Sequence, residues 1–256
     1  PGGPRAAAPR QSARQMPQRG PGHAVQQAAP LLPDDGTVLV PSGDVPLIDG
    51  ETLRAPGADS AGRRLALLTI EVDEPRGYGR IVRVAGGSGD DGEIQSIVEE
   101  KDATEAQRAI REIYSGVMAV PARLLKTWLA RLDNKNAQGE YYLTDIVGFA
   151  AVGGVPVVAH RTDDALQVAG ANSPAQLAAL ERAHQLRQAH ALMAHGVRLA
   201  DPARFDLRGT LVCESDVEID VNCVFEGAVS LGADVRIGAN CVIANARIET
   251  GAVIHP

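Results

Sequence analysis

The chain is short of several things, and each shortage closes off a class of protein. Only three of its 256 residues are cysteine (Cys213, Cys223 and Cys241), with no C-x-x-C pair. That excludes a disulfide framework and a cysteine-paired zinc site, and it fits a reducing compartment. Aromatic residues make up 3%, so the core must be built from Val, Leu, Ile and Ala. No apolar run approaches the roughly 18 residues of a membrane helix, and the N-terminus has no apolar signal-peptide core. Base is outnumbered by acid, 25 Lys and Arg against 32 Asp and Glu, a formal charge of −7. This argues against a nucleic-acid surface. It leaves room for phosphate ligands, because Mg²⁺ can bridge acidic residues to phosphate oxygens. Neither a G-x-S-x-G elbow nor a Walker loop is found. His184, His190 and His195 are spaced by six and five, not the i, i+4 of a helical zinc site.

What remains is ordinary globular composition, 45% hydrophobic and 22% charged, in a length that suits one large domain or two smaller ones. Residues 1–22 are rich in Pro, Gly, Gln and Arg and carry Arg5, Arg10, Arg14 and Arg19 without an acid; read alone, they are a flexible arm. A short helix over 23–32 ends at Pro33. The apolar run 37–40 reads as a buried strand, with a turn at 41–44 at its carboxyl end. Further strands are expected at 65–72, 81–84, 94–98, 113–120 and 155–159, and helices at 104–111, 121–132 and 144–151. This alternation predicts an α/β domain with a largely parallel sheet. A long helix over 173–194 has Ser173 as N-cap, Pro174 at its first position and Gly196 past its end. Its apolar stripe is read as Leu177, Leu180, Ala183, Leu186 and Ala191.

After Arg208 apolar residues recur every six positions: Leu207, Ile219, Phe225, Leu231, Ile237 and Ile243, with Cys213 filling the gap. A second series runs four residues on, through Leu211, Val217, Cys223, Val229, Val235 and Cys241. A six-residue repeat predicts a parallel β-helix, each hexad one flat side of a triangular coil with its apolar residue inward. Cys223 and Cys241 then belong to the core. Less than three coils fit before Pro256, without a cap, and the chain begins at Pro1 rather than Met; truncation at both ends is expected.

Single residues carry weaker signals. Asp44 ends a strand, where ligands of open sheets gather, beside Gly43; a carboxylate there could hold Mg²⁺ or could bond its own turn. The glycine-flanked G-Y-G-R-I at 77–81, the charged run at 99–103, the polar loop N-A-Q-G-E-Y-Y-L-T-D at 136–145 and the G-A-N at 170–172 each also read as a turn, a solvated edge or a helix start.

In order, though, G-D-V-P-L-I at 43–48, G-Y-G-R-I at 77–81, I-V-E-E-K-D-A-T at 97–104, the 136–145 loop and D-P-A-R-F-D-L-R-G-T at 201–210 resemble the bifunctional N-acetylglucosamine-1-phosphate uridyltransferase and glucosamine-1-phosphate acetyltransferase family, GlmU. The resemblance runs from about Gln15 to the last residue. It implies a partial Rossmann-like nucleotidyltransferase domain (1–174), a linker helix (175–195) and the start of a left-handed parallel β-helix (196–256). It implies Mg²⁺-dependent transfer of uridylyl from UTP to N-acetylglucosamine 1-phosphate, giving UDP-N-acetylglucosamine and pyrophosphate, with homotrimers formed through the β-helix. A bacterial cytoplasmic setting follows, without nucleic-acid or membrane partners.

Carried over residue by residue, the resemblance implies that Asp44 and Asn172 hold the metal and that Gln15 and Gly20 contact uracil. Gly43 would lie beside the nucleotide, and Gly79 and Glu99 would hold the sugar. Three ligand positions depart from the family: Pro21 stands for threonine, Ser42 for tyrosine, and Tyr114 for a sugar-contacting asparagine. The family's L-x-A-G-x-G-T-R-M phosphate loop and its acetyltransferase site are expected to be missing, so weak uridylyl transfer is expected of this chain. A catalytically silent scaffold of the same fold and another sugar-1-phosphate nucleotidyltransferase are the alternatives.

Overall fold

The computed structural model describes residues 11–84 and 92–256; Arg5 and Arg10 of the expected arm lie outside them. The chain divides into two compact units, one running through Ala169 and the other spanning Gly170–Pro256.

The first unit is a six-stranded sheet in the order β4-β3-β5-β2-β6, with β1 added against β5. The strands are β1 (Thr37–Val40), β2 (Leu65–Glu71), β3 (Arg80–Arg83), β4 (Ile94–Val98), β5 (Glu112–Pro121) and β6 (Val157–Arg161). The expected parallel sheet is corrected here. Among the described strands only β2 and β6 run parallel; the β1–β5, β2–β5, β3–β4 and β3–β5 pairs are antiparallel. Alternation of strands and helices misled because β5 returns antiparallel between β2 and β3. The strand β1 is half-buried rather than buried, with Leu39 exposed, because it pairs on one side only.

Helices α3 (Glu105–Arg108) and α4 (Ala122–Leu129) fall within the expected segments, while α1 (Pro21–Ala28) starts two residues before the expected 23–32 and α5 (Asp145–Val152) ends one residue beyond 151; α3 is a single capped turn. The sequence reading passed over α2 (Gly50–Ser60), which carries Pro56 and two glycines. Its start signal was present: Asp49 accepts from the N–H groups of Glu51 and Thr52, as an N-cap does. The main core packs Leu65, Leu67, Ile81, Ile97 and Met118 of the sheet under Leu125, Trp128, Leu129, Ile146 and Val147 of α4 and α5. Leu68, Ile70, Ile113, Val117 and Val168 form a second core.

The second unit opens with α6 (Pro174–Ala194), capped by Ser173. Its buried residues are Leu180, Gln185 and Ala189, whereas Leu177 and Leu186 of the expected stripe are exposed. The polar Gln185 is buried because its amide bonds both backbone groups of Leu207, accepting from N–H at 2.7 Å and donating to C=O at 3.0 Å.

A parallel solenoid follows. Strand β8 (Phe205–Cys213) pairs with β10 (Cys223–Leu231), and β10 pairs with β12 (Val242–Ala244) and β13 (Arg247–Ile248). The remaining face stacks β7 (Arg198–Leu199), β9 (Glu218–Ile219), β11 (Arg236–Ile237) and β14 (Val253–Ile254). Leu207, Phe225 and Ile243 lie in register on successive coils. From Val217 to Ile243 both apolar series are buried, Cys223 and Cys241 included. Leu211 and Cys213 are only half-buried. The strict hexad ends at Ile243: Ile248, not Glu249, faces Leu231, so one residue is lost at that corner. Gly209 faces Gly227 at a corner where a Cβ on Gly209 would lie 2.1 Å from the Gly227 carbonyl oxygen, so only glycine fits.

Candidate functional site

Strand β5 organises the site in the first unit. Its partner on β2 jumps from Met118, opposite Leu67, to Tyr114, opposite Thr69. The surplus residues form a bulge in which Gly116 has φ 86°. A Cβ on Gly116 would lie 2.7 Å from the Ser42 Cβ, so this glycine lets the turn after β1 lie against the strand. On that turn the Ser42 hydroxyl donates to Asp44 Oδ1 at 2.5 Å. Gly43 and Asp44 are exposed.

Gly79, Glu99 and Tyr114 come together at the other end of the same strand. The Tyr114 N–H donates to the Gly79 carbonyl at 2.9 Å. A Cβ on Gly79 would lie 2.7 Å from Ile97 Cγ2 and 3.7 Å from each Glu99 carboxylate oxygen, so the missing side chain leaves Glu99 an open face. Glu99 Oε1 accepts from the Thr144 hydroxyl at 2.8 Å. Thr144 precedes α5 but makes no side-chain cap bond; its hydroxyl is committed to Glu99. Burial pushes the Glu99 carboxyl above the usual carboxylate range, Asp102 and Glu140 add to this, and the Thr144 bond and Arg80 oppose it. Burial, then the Glu99 charge, push the Tyr114 phenol upward.

The segment from Gln15 to Gly22 is held in place, which corrects the flexible-arm reading for these residues. The Tyr141 N–H donates to the Arg19 carbonyl and the Gly22 N–H to the Tyr141 carbonyl, each at 2.9 Å. Gln15 Nε2 donates to the Gly20 carbonyl at 2.9 Å. Gly20 has φ 89°, and a Cβ there would lie 2.8 Å from the Glu140 Cβ. Pro21 is exposed at the first position of α1, where no N–H is needed.

Asn172 belongs to the second unit, where its backbone N–H donates to Gln176 Oε1 at 2.8 Å. Reading by sequence missed Thr144, Asp102 and Tyr142 as part of this wall. The Tyr142 hydroxyl donates to Asp102 Oδ2 at 2.9 Å, and Asp102 Oδ1 accepts from the Ala137 N–H at 2.9 Å. The signal was the density of polar side chains in the 136–145 loop, which the sequence alone left as a capped helix start.

Comparison with known proteins bears on this arrangement. The chain is 67% identical over 251 residues to the bifunctional protein GlmU of Paracidovorax citrulli, covering 95% of this chain and 52% of that protein. The GlmU of Albidiferax ferrireducens is also 67% identical, over 243 residues, at 95% and 51% coverage. The chain is thus similar to these GlmU proteins over nearly all of its own length. It spans about half the length of the curated GlmU proteins it matches. No family model matches. Among solved structures, the UDP-glucose pyrophosphorylase from Acinetobacter baumanii is 20% identical at a TM-score of 0.49, covering 72% of this chain and 64% of that one.

For a metal, the first unit offers the exposed Asp44 carboxylate, a hard oxygen donor of the kind that suits Mg²⁺; the exposed Asn172 side chain lies in the second unit. Among the described residues no helix is long and apolar enough to cross a membrane.

Proposed function

We propose that this chain serves uridylyl transfer from UTP to N-acetylglucosamine 1-phosphate, giving UDP-N-acetylglucosamine and pyrophosphate, as a member of the GlmU family. The observation that carries the proposal is the Gly79–Glu99–Tyr114 notch: a carboxylate oriented by a buried threonine beside a glycine that leaves it accessible. Such a carboxylate accepts hydrogen bonds from sugar hydroxyl or amide N–H groups, and charge-assisted bonds of this kind are the strong ones. On the opposite wall, Gln15 and the positive-φ Gly20 would present the backbone and one amide to uracil. Asp44 would hold Mg²⁺, which when bound would neutralise phosphate charge.

The rest of the work falls to positioning. The sugar phosphate attacks the α-phosphorus in line, and catalysis of such a step is chiefly alignment and charge neutralisation. Gly79 and Glu99 would fix the sugar ring, and thereby its phosphate. Ser42, donating to Asp44 Oδ1, would fix that carboxylate. Homotrimers through the solenoid are part of the proposal. Acetylation of glucosamine 1-phosphate is assigned no residues here.

A second reading, a catalytically silent member of the same fold, is favoured by the bulk of Tyr114 in the notch. The two separate by experiment. UDP-N-acetylglucosamine is titrated calorimetrically, and pyrophosphate release is followed with UTP, N-acetylglucosamine 1-phosphate and Mg²⁺, with Asp44→Ala as control. Binding together with Asp44-dependent release supports transfer. Binding without release supports the silent reading. No binding overturns both.

A further inference from the structure

Arg80 has entered so far only as a charge acting on Glu99. It opens β3 next to Gly79, pairs in register with Val98 of β4, and is 1% exposed. Its guanidinium reaches in two directions. Nη1 donates to the Tyr78 carbonyl, within the glycine-flanked turn. Nη2 meets Glu100 Oε2 at 2.5 Å, and that oxygen also accepts from the Gly77 N–H at 3.4 Å. The buried guanidinium therefore links the Tyr78 carbonyl to Glu100, and Glu100 in turn holds the Gly77 N–H.

Stability alone is a poor account of this arrangement. Arg80 Nε is buried and has no hydrogen-bond partner among the described residues, and an unsatisfied buried donor is costly. Packed apolar side chains commonly replace such buried pairs at no loss. What an apolar replacement would not supply is a fixed positive charge behind Glu99. That charge matters because the other ionisable groups coupled to Glu99, namely Asp102, Glu140, Asp145 and the Tyr114 and Tyr142 phenols, are acidic.

We propose that Arg80 is a positioning residue of the sugar site, clamping the Gly77–Gly79 turn against the Glu99–Glu100 segment. The inference rests on the proposed sugar site but adds a group that does not touch the sugar. Its charge opposes burial, Asp102 and Glu140 at Glu99. Without it, Glu99 holds a proton to higher pH and loses acceptor capacity for the sugar.

The test uses the whole chain with Arg80→Met and Arg80→Lys, each checked for folding by circular dichroism. Glu99 is titrated by carboxyl-carbon NMR in glutamate-labelled protein, assigned with Glu99→Gln. Binding of UDP-N-acetylglucosamine and of UDP is measured from pH 5.5 to 8.5. In Arg80→Met the Glu99 midpoint is expected to move upward. Affinity for UDP-N-acetylglucosamine should fall at low pH and recover as pH rises, with UDP binding unmoved. Arg80→Lys keeps the charge but cannot span both partners, so it should weaken sugar binding at every pH with little change in midpoint. If Arg80→Met does not fold, the lysine variant decides on that pattern. An unmoved Glu99 midpoint in Arg80→Met, or equal loss of UDP and UDP-N-acetylglucosamine in either variant, overturns the assignment. Wild-type protein that binds neither ligand overturns the proposed function itself.

Discussion

Replacing Gly79 with alanine tests the sugar notch at its narrowest point. The added methyl would lie 3.7 Å from both oxygens of Glu99 and 2.7 Å from Ile97 Cγ2. The first contact screens the carboxylate from a ligand, and the second demands movement of a buried, branched side chain. Loss of a hydrogen bond to a charged acceptor is worth about 1.5–3 kcal/mol, or roughly a ten- to 150-fold loss of affinity. Overpacking against Ile97 costs a further ~1–3 kcal/mol of stability. The two effects separate by assay. Calorimetric titration should show UDP-N-acetylglucosamine binding weakened by that factor while UDP, which would be held by the Gln15–Gly20 wall, binds as before; urea unfolding reports the packing cost. Equal loss for both ligands would mean that the variant deforms the whole domain. Unchanged binding of UDP-N-acetylglucosamine would refute the placement of the sugar beside Glu99.

Other consequences follow from single groups. Asp145 has its carboxyl pushed up to about 6, by burial first and then by Asp133, Glu99 and Asp102. A raised acid binds its proton more tightly in the folded state, so its ionisation destabilises above about pH 6 and that penalty disappears as pH falls towards 4. Asp145→Asn should therefore raise the melting temperature at pH 8 and change it little at pH 4; an equal effect at both would discount the shift. Phe225, fully buried and stacked on Phe205 with centroids 5.7 Å apart, should cost about 3–5 kcal/mol when cut to alanine, read as a lower urea midpoint. Gln185→Leu keeps the volume but leaves both backbone groups of Leu207 unpaired, and about 1–3 kcal/mol for each is expected. A neutral result would show that water replaces the amide.

The solenoid was legible because its rule is periodic and local. Six-residue spacing states which side chains point inward, and that held from Val217 to Ile243. It failed where the corner lost a residue, since a deletion at Asn245–Ala246 leaves no trace in composition. The first unit was harder. The strand segments showed up as apolar runs, but their direction is a property of pairing. Nothing within 112–121 says that it lies between β2 and β3 and runs against both. Helix α2 was hidden by Pro56, although the Asp49 cap marked its start.

The site was legible only in outline. Gly79 and Glu99 stand twenty residues apart, and only the β3–β4 pairing brings them face to face. Their juxtaposition follows from Ile81 opposing Ile97 in that ladder, which a list of motifs cannot express. Thr144 is the sharper case. By sequence it is a helix cap, because threonine before an aspartate and an apolar run is what a cap looks like. In the fold its hydroxyl is within 2.8 Å of Glu99, and a carboxylate that is being buried is the stronger acceptor. The first backbone N–H groups of α5 bond instead to the Tyr142, Leu143 and Thr144 carbonyls, and the threonine hydroxyl is left for Glu99. Arg80 follows the same logic: a basic residue in a strand reads as an edge charge until the fold shows it sealed behind the turn. In each case the role came from what tertiary structure placed beside a buried charge.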